Sequence, residues 1–265
     1  MRKSQRFRKY NRLKVRKKRL VFKNRFFLSF VLVLIAISIL FYLVCFYSLF
    51  QIKKIEISGN QKVSTDEIRS LIEINLSRKI LFFHSRSVFL IDLKKNEDKI
   101  LNQFLQIGAV DLERDFPEKL TISIEEREPA AIFEEGEGLF FVDEEGIIFE
   151  KVSEKDNWLI IKNPNFGKEP KLGEEAVDKE KIPQILKIQS GLKELNIEIV
   201  STEIVNQQRM NIKTSEGWEI YFNSRDDVSQ QVFNLDLVLK KKISPEERRN
   251  LEYVDLRFSN QVYYK

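Results

Sequence analysis

The stretch VDLERDFPEKLTISIEEREP, residues 110–129, decides the fold of the first half of the chain. Apolar side chains recur at every second position on both sides of Pro117, which is typical of strands that bury one face. Pro117 interrupts the first run, and the second run consists of Leu120, Ile122 and Ile124. Since proline is excluded from the middle of a sheet, the stretch predicts two strands joined by a tight turn.

A strand and two helices are predicted upstream of this strand pair. Residues 52–57 have a short strand pattern that stops at the turn signal Ser58-Gly59-Asn60. Ser64 and Glu67 have the spacing of a capping box, and apolar residues follow them at helical intervals. A second apolar stripe begins near Asp92 and predicts another helix. The predicted order is therefore strand, helix, helix, strand, strand.

The sequence after residue 129 is rich in strand patterns. Residues 139–142 and 147–149 flank a four-residue turn and predict a hairpin. The stretch 162–181 mixes prolines and glycines with charges, which indicates a surface loop. The other predicted elements are a helix over 183–195, strands near 198–206, 209–214 and 218–222, a helix with the apolar stripe Val228, Val232, Leu235 and Leu239, and a helical turn at 244–247. The fold class is therefore α+β, with two or more helices in a mixed, strand-rich second part.

An uncharged segment of 25 residues, 26–50, precedes these elements. A helix of that length spans roughly 37 Å, which is enough to cross a bilayer. A cleaved signal peptide has a shorter apolar region and a small-residue cleavage site, and neither is present here. The segment predicts a single transmembrane helix anchored through residues such as Phe26, Val31, Leu40 and Phe50.

Charge is distributed unevenly along the chain. Of its 45 basic side chains, 13 lie in residues 1–25, which contain no acidic side chain. The positive-inside rule places this basic head in the cytoplasm and the part after residue 50 outside it. A nucleic-acid-binding arm is the alternative for the head. Its position directly before the span favours a topology signal in contact with membrane lipid, and no nucleic acid is expected as a partner.

Two stretches resemble the FtsQ/DivIB family of bacterial cell-division proteins. The first runs from Ile57-Ser58-Gly59-Asn60 to the motif already quoted, whose Arg114-x-x-Pro117 turn and Glu126-Arg127-x-Pro129 exit are similar to the family pattern. The second is Tyr-Val-Asp-Leu-Arg-Phe at 253–258, which resembles the family's terminal strand. The resemblance implies a cytoplasmic tail at 1–25, a transmembrane helix at 26–50, a POTRA domain at 51–128 and an FtsQ/DivIB-type β domain at 129–265.

The same resemblance implies a function without catalysis. Members of the family recruit FtsB-like and FtsL-like bitopic division proteins, and other divisome components, to septal peptidoglycan synthesis. The implied protein is single-pass in the cell (inner) membrane, with an extracytoplasmic C-terminal domain at the division septum. The implied mechanism is addition of a partner strand to an exposed sheet edge. The implied partner-binding residues are Tyr253, Asp255, Arg257, Phe258, Ser259 and Val262.

Strand alternation divides this terminal segment between two faces. Val254, Leu256 and Phe258 are expected on one face. Tyr253, Asp255 and Arg257 are expected on the other. Two interpretations of the polar pair stay open. Arg257 can contact the partner strand, or it can simply pair with Asp255 on a solvated face.

Two other classes of function are alternatives. A membrane-anchored wall hydrolase would need an acid/base pair from the carboxylate clusters near 125–128, 134–137 and 143–145, but these lie in turns or at a strand exit. A POTRA-type chaperone of envelope assembly would bind extended client strands. One Cys and one His, Cys45 and His84, make a metal centre a poor expectation, and no cofactor is predicted.

The apolar triplets at 81–83 and 88–90 remain outside all of these motifs. Large exposed apolar patches mark interaction sites. These triplets are therefore a candidate for a second contact patch.

Overall fold

The computed structural model describes residues 25–80, 83–258 and 261–265. The basic head before Arg25, the tip of the apolar segment at 81–82, and Ser259 lie outside the described residues. Helix α1 (Arg25–Phe46) is followed by a single 3-10 turn (Ser48–Phe50). The apolar helix predicted from the sequence is present, but it ends at Phe46 and not at residue 50.

The first folded unit contains the predicted order of elements together with one extra hairpin. Strand β1 (Lys54–Ser58), helices α2 (Thr65–Leu76) and α3 (Leu93–Gln103), and strands β4 (Ile107–Asp115) and β5 (Lys119–Glu126) are the predicted set. The extra hairpin consists of β2 (Arg78–Ile80) and β3 (Phe83–Ser85). The sheet has the order β1-β5-β4, with β1 parallel and β4 antiparallel to β5.

Local sequence explains how the helices of this unit begin. The Ser64 side chain accepts a hydrogen bond from the Asp66 N–H, and the Asp92 side chain accepts one from the Lys95 N–H, so each caps a helix start. The stripe of α2 then buries Ile68 and Ile72 against the sheet. Both helices thus cover one face of a three-stranded sheet, as the periodicity predicts.

The second folded unit is built on a nine-stranded sheet. Its strands are β6 (Ala131–Glu135), β7 (Gly138–Val142), β8 (Ile148–Val152), β9 (Ile160–Lys162), β10 (Ile199–Ile204), β11 (Arg209–Thr214), β12 (Glu219–Asn223), β13 (Tyr253–Phe258) and β14 (Gln261–Tyr264). The sheet order is β14-β13-β12-β11-β10-β9-β6-β7-β8. Helices α4 (Lys181–Glu194) and α5 (Val228–Lys241) pack on it, and α6 (Pro245–Arg248) leads into β13.

Helix α5 is the crossover that positions β13. Strands β12 and β13 are parallel, so the chain must return to the same end of the sheet between them. Asp227 caps α5 through the Ser229 N–H, and Leu235 is fully buried against the sheet. The crossover brings the terminal segment beside β12.

The two units meet at the exit of the first. The Arg127 guanidinium forms an ion pair and a hydrogen bond with Asp143, which lies in the turn between β7 and β8. Asp143 also accepts hydrogen bonds from the N–H groups of Glu145 (3.0 Å) and Ile147 (2.9 Å). The carboxylate therefore holds its own turn and the first unit together.

Candidate partner-binding edge

The predicted terminal strand is present as β13, and its inner face belongs to the core. Val254 is fully buried and Leu256 nearly so. Glu219, Ile220 and Tyr221 of β12 stand opposite Tyr253, Val254 and Asp255 in parallel register. The side of β13 that faces β12 is therefore already paired with that strand.

Strand β14 covers the other side of β13, which the sequence did not predict. Val254 and Asp255 stand opposite Tyr264 and Tyr263 in antiparallel register. In the described part of the chain β14 has a single neighbouring strand, so it forms the edge of the sheet. The expectation that residues 253–258 themselves provide this edge is wrong, because the following segment folds back onto them.

The hydrogen bonds between β13 and β14 show which N–H and C=O groups of β14 face outward. Tyr253 and Lys265 exchange N–H to C=O hydrogen bonds across β13 and β14, at 3.2 and 3.4 Å. In an antiparallel ladder the next residue points its N–H and C=O the opposite way. The backbone groups of Tyr264 and Val262 therefore point away from β13, toward any added strand.

Asp255 and Arg257 form a bidentate pair on the outer face of β13. The Asp255 carboxylate accepts hydrogen bonds from Nε (2.8 Å) and Nη2 (2.6 Å) of Arg257 and from the Arg257 backbone N–H (3.1 Å). Burial acts to raise the pKa of Asp255, but these hydrogen bonds outweigh it and the pKa is lowered. The hydrogen bond from Arg257 to Asp255 in turn raises the pKa of Arg257.

Aromatic rings and cations extend this pair across the sheet face. The rings of Tyr221 and Tyr253 stack with centroids 5.3 Å apart. The guanidinium carbon of Arg209 lies 4.4 Å from the Tyr221 ring centroid, and that of Arg257 lies 5.6 Å from it. The sequence-predicted residues Tyr253, Asp255 and Arg257 thus form one rigid surface with two residues that sequence analysis did not select.

Phe258 departs from the predicted alternation. It was expected to share a face with Val254 and Leu256, yet it is 51% exposed. The register between β13 and β14 shifts between Asp255 and Phe258, which is the mark of a bulge. Its ring makes an edge contact with Tyr263 at 5.3 Å, so the bulge has moved it out of the core.

Two of the four residues of β14 are aromatic. Val262 is half-buried against the core, whereas Tyr263 and Tyr264 are about half exposed. The alternation in Gln261-Val-Tyr-Tyr was a strand signal available in the sequence. The sequence interpretation treated these residues as the end of the terminal strand and did not predict a separate strand there.

The predicted anchor residues divide into two groups. Phe26, Val31 and Leu40 lie on α1, whose surface is largely uncovered by protein. Phe50 lies outside that helix, in the 3-10 turn, where its ring contacts Phe89 at 5.2 Å. Phe50 therefore packs on the first folded unit and does not extend the helix.

The carboxylate clusters considered for hydrolysis have structural partners. Glu126 accepts hydrogen bonds from the N–H groups of residues 61–63, all at 2.9 Å. Burial acts to raise its pKa, but these N–H groups outweigh that effect and the pKa is lowered. Glu134 is paired with Lys155 (2.7 Å) and Lys162 (3.1 Å). Within the described ranges, three or more His, Cys, Asp or Glu side chains nowhere cluster so as to hold a metal ion.

Fold and edge together define a class: a membrane-anchored protein with a small α/β unit followed by a β domain whose sheet ends in an open edge. Residues 50–127 match the family model described as "POTRA domain, FtsQ-type", and residues 131–257 match the one described as "Cell division protein FtsQ/DivIB, C-terminal". The chain belongs to the FtsQ/DivIB family of cell-division proteins. The edge strand β14 lies beyond the matched residues.

Individual relatives support this assignment over most of the chain. A cell division protein DivIB of Clostridium botulinum is 24% identical over 263 residues, which cover 95% of this chain and 94% of the relative. A cell division protein FtsQ of Corynebacterium glutamicum is 21% identical over 214 residues, covering 79% and 88%. A DivIB of Clostridium acetobutylicum is 23% identical, covering 81% and 82%.

Proposed function

We propose that this protein is a non-catalytic scaffold of the division machinery. It recruits FtsB-like and FtsL-like bitopic proteins by strand addition to β14, and so links early division proteins to septal wall synthesis. The identity of the partners rests on the family resemblance. The observation that carries the mechanism is the outward orientation of the Tyr264 and Val262 backbone groups at the end of the sheet.

The face beside this edge supplies the selectivity of the proposed site. A strand added to β14 places alternate side chains over the Phe258–Tyr263 contact, and the Arg257 guanidinium lies 5.8 Å from the Phe258 ring centroid. Arg257 is already fixed by Asp255, so it offers a positioned charge at little further entropic cost. Asp255 itself is almost completely buried and acts by positioning Arg257. The family resemblance adds Ser259 to the proposed contact residues.

The decisive experiment compares two substitutions at the same position. Tyr264→Pro and Tyr264→Ala both remove the phenol ring, but only proline removes the outward N–H. The full chain in detergent is titrated with the extracytoplasmic segment of the FtsB-like protein of the same organism. We expect Tyr264→Pro to bind about 5- to 100-fold more weakly than Tyr264→Ala, since one hydrogen bond is lost. Equal binding by both folded variants would contradict strand addition at this edge.

A second pair of variants tests the side-chain surface. Phe258→Glu places a charge beside the proposed strand, whereas Phe233→Glu does so on α5, where Phe233 is similarly exposed at 54%. Phe258→Glu is expected to abolish measurable binding, and Phe233→Glu is expected to bind as the wild type does. Loss of binding in both variants would show a general effect of the added charge.

The topology and domain division are part of the same proposal. The basic head lies in the cytoplasm, and the units at 51–128 and 129–265 lie outside it, at the septum. Two hydrophobic clusters that share no residue support the division into two domains. Lys179→Cys on the exposed loop is expected to react with a membrane-impermeant maleimide in intact cells. The wild type is the control because its Cys45 is buried. Labelling that occurred only after lysis would contradict the proposed orientation, because residue 179 would then lie in the cytoplasm.

A further inference from the structure

Alternate residues of the segment after β2 are bound to the last turn of the membrane helix. Ser87 Oγ donates a hydrogen bond to the Val44 carbonyl at 2.7 Å, and Ser85 Oγ donates one to the Cys45 carbonyl. Gln51 Nε2 donates a second hydrogen bond to the Cys45 carbonyl at 3.0 Å. These bonds satisfy carbonyls that a helix end otherwise leaves without a partner.

Strand β3, which contains Ser85, also places an aromatic ring against α1. Phe83 points the same way as Ser85 because side chains of a strand alternate between faces. Its ring meets that of Phe46, the last residue of α1, with centroids 5.8 Å apart. Cys45, next to Phe46, is only 1% exposed, so it is covered by protein.

The length of the helix sets the height of this contact. The 22 residues of α1 span roughly 33 Å, which is close to the thickness of the hydrocarbon core of a bilayer. Phe46 therefore lies near the boundary between the acyl chains and the headgroups. Any ring held against Phe46 by the capping bonds lies near that boundary too.

A second set of ring contacts begins at Phe50, four residues after Phe46, and runs over the surface of the first unit. Phe50 contacts Phe89, and Phe89 contacts Phe116, each with centroids 5.2 Å apart. Phe83, Phe89 and Phe116 are 66%, 42% and 56% exposed, although each also contacts another phenylalanine ring. Exposed apolar area of this kind marks interaction surfaces. We name the set Phe46, Phe50, Phe83, Phe89 and Phe116 the aromatic ladder.

We propose that the aromatic ladder is a lipid-binding surface on which the first folded unit rests against the bilayer. The ladder is continuous with the lipid-facing surface of α1, and the capping bonds prevent the unit from lifting away. Phenylalanine rings at the level of the headgroups bury apolar area that water would otherwise contact. This surface is distinct from the β14 edge and does not depend on strand addition.

The test places a fluorescent ring on the ladder in the full chain, reconstituted as single copies in lipid nanodiscs. Phe83→Trp and Phe116→Trp are compared in discs of ordinary and of dibrominated phosphatidylcholine, whose bromine atoms quench tryptophan on contact. The emission of the wild type, from Trp158 and Trp218, is subtracted. We expect the added emission of both variants to be lost in brominated discs.

The matched control is Phe233→Trp, whose ring replaces a similarly exposed phenylalanine on α5. Its added emission is expected to be the same in both kinds of disc. Unquenched added emission from the Phe83→Trp and Phe116→Trp variants, with the red-shifted maximum of a ring in water, would overturn the proposal. It would also be overturned if the two introduced rings left water only when FtsB-like and FtsL-like proteins were reconstituted in the same disc, since the ladder would then be a protein-binding surface.

Discussion

Gly59 illustrates how a single residue constrains the first unit. Its φ of +90° belongs to the left-handed region, and the backbone carbonyl of Ile124 occupies the space that a side chain would need. Gly217 has a similar φ of +100° but open space around it. A side chain at either position would be strained by the backbone conformation, but only one at position 59 would also collide with a neighbouring strand. Substitutions at the two glycines therefore distinguish these two sources of lost stability.

Gly59→Ala is expected to destabilise the protein more than Gly217→Ala does. Both variants incur about 1 kcal/mol or more from the unfavourable φ, and only the first must also displace the β5 backbone. The measurement is thermal unfolding of the full chain in detergent, followed by circular dichroism. If the two variants proved equally stable, the contact with Ile124 would carry no energetic weight.

Asp255 gives the pair on β13 a defined dependence on pH. Because its pKa is lower in the folded chain than in the unfolded one, the ionised carboxylate stabilises the fold above the unfolded pKa of about 3.9. That contribution is lost as the pH falls through the folded pKa. Asp255→Asn lacks it at every pH.

Asp255→Asn is accordingly expected to reduce the free energy of unfolding at pH 7 by about 1–3 kcal/mol. The difference from the wild type should narrow as the pH falls from about 5 to about 3. Denaturant titrations of both proteins at several pH values measure this directly. If the difference in the free energy of unfolding stayed constant over that range, the loss of stability would come from the shape of the new side chain and not from its missing charge.

At the scale of elements, the crossing of α4 and α5 depends on a small residue. A Cβ at Gly191 would lie 2.8 Å from Cγ1 of Val232 on the facing helix. Glycine inside a helix otherwise costs about 0.5–1 kcal/mol relative to alanine. The close approach explains why that cost is tolerated here.

A double-mutant cycle tests this crossing. Gly191→Ala is expected to be markedly more favourable in a Val232→Ala background than in the wild type, because the smaller partner leaves room for the new methyl group. Free energies of unfolding of the four proteins give the coupling. Additive effects would show that the helices adjust freely and that the contact is not limiting.

The elements that sequence analysis predicted are those with a one-sided apolar pattern. Helices α2, α3 and α5 and strands β5, β11 and β13 each show such a pattern, since one face meets the core. Strands β6 and β9 were not predicted because both lie in the middle of the sheet, where Ile132, Phe133 and Ile161 are all fully buried. A strand whose two faces are both buried shows no alternation of apolar and polar residues.

The candidate site was predictable in part for the same reason. The run at 253–258 identified β13 and the pair of Asp255 with Arg257. The edge strand and the outward position of Phe258 follow from pairing and from a bulge, and these depend on contacts that local sequence does not encode.

At the scale of the whole molecule, Arg127 and Asp143 couple the two folded units. Arg127→Met is expected to make unfolding less cooperative, so that the van 't Hoff enthalpy falls below the calorimetric enthalpy of the full chain. Lys62→Met removes a more exposed pair between the units, Lys62 with Glu150 at 3.6 Å, and is the control. Exposed pairs of this kind contribute little, so the control should unfold as the wild type does. A similar loss of cooperativity in both variants would indicate that general surface charge, and not the buried pair, joins the units.

The two edge strands of the nine-stranded sheet, β14 and β8, differ in the surroundings of their outer backbone groups. At β8, the N–H and C=O of Ile148 are already bonded to Glu174 (2.9 Å) and Gly173 (2.7 Å), and Glu150 faces the first unit. A copy of the chain that offered its β14 to the β8 of another would find the backbone groups of Ile148 already paired. Head-to-tail growth into filaments through β14 and β8 is thereby disfavoured.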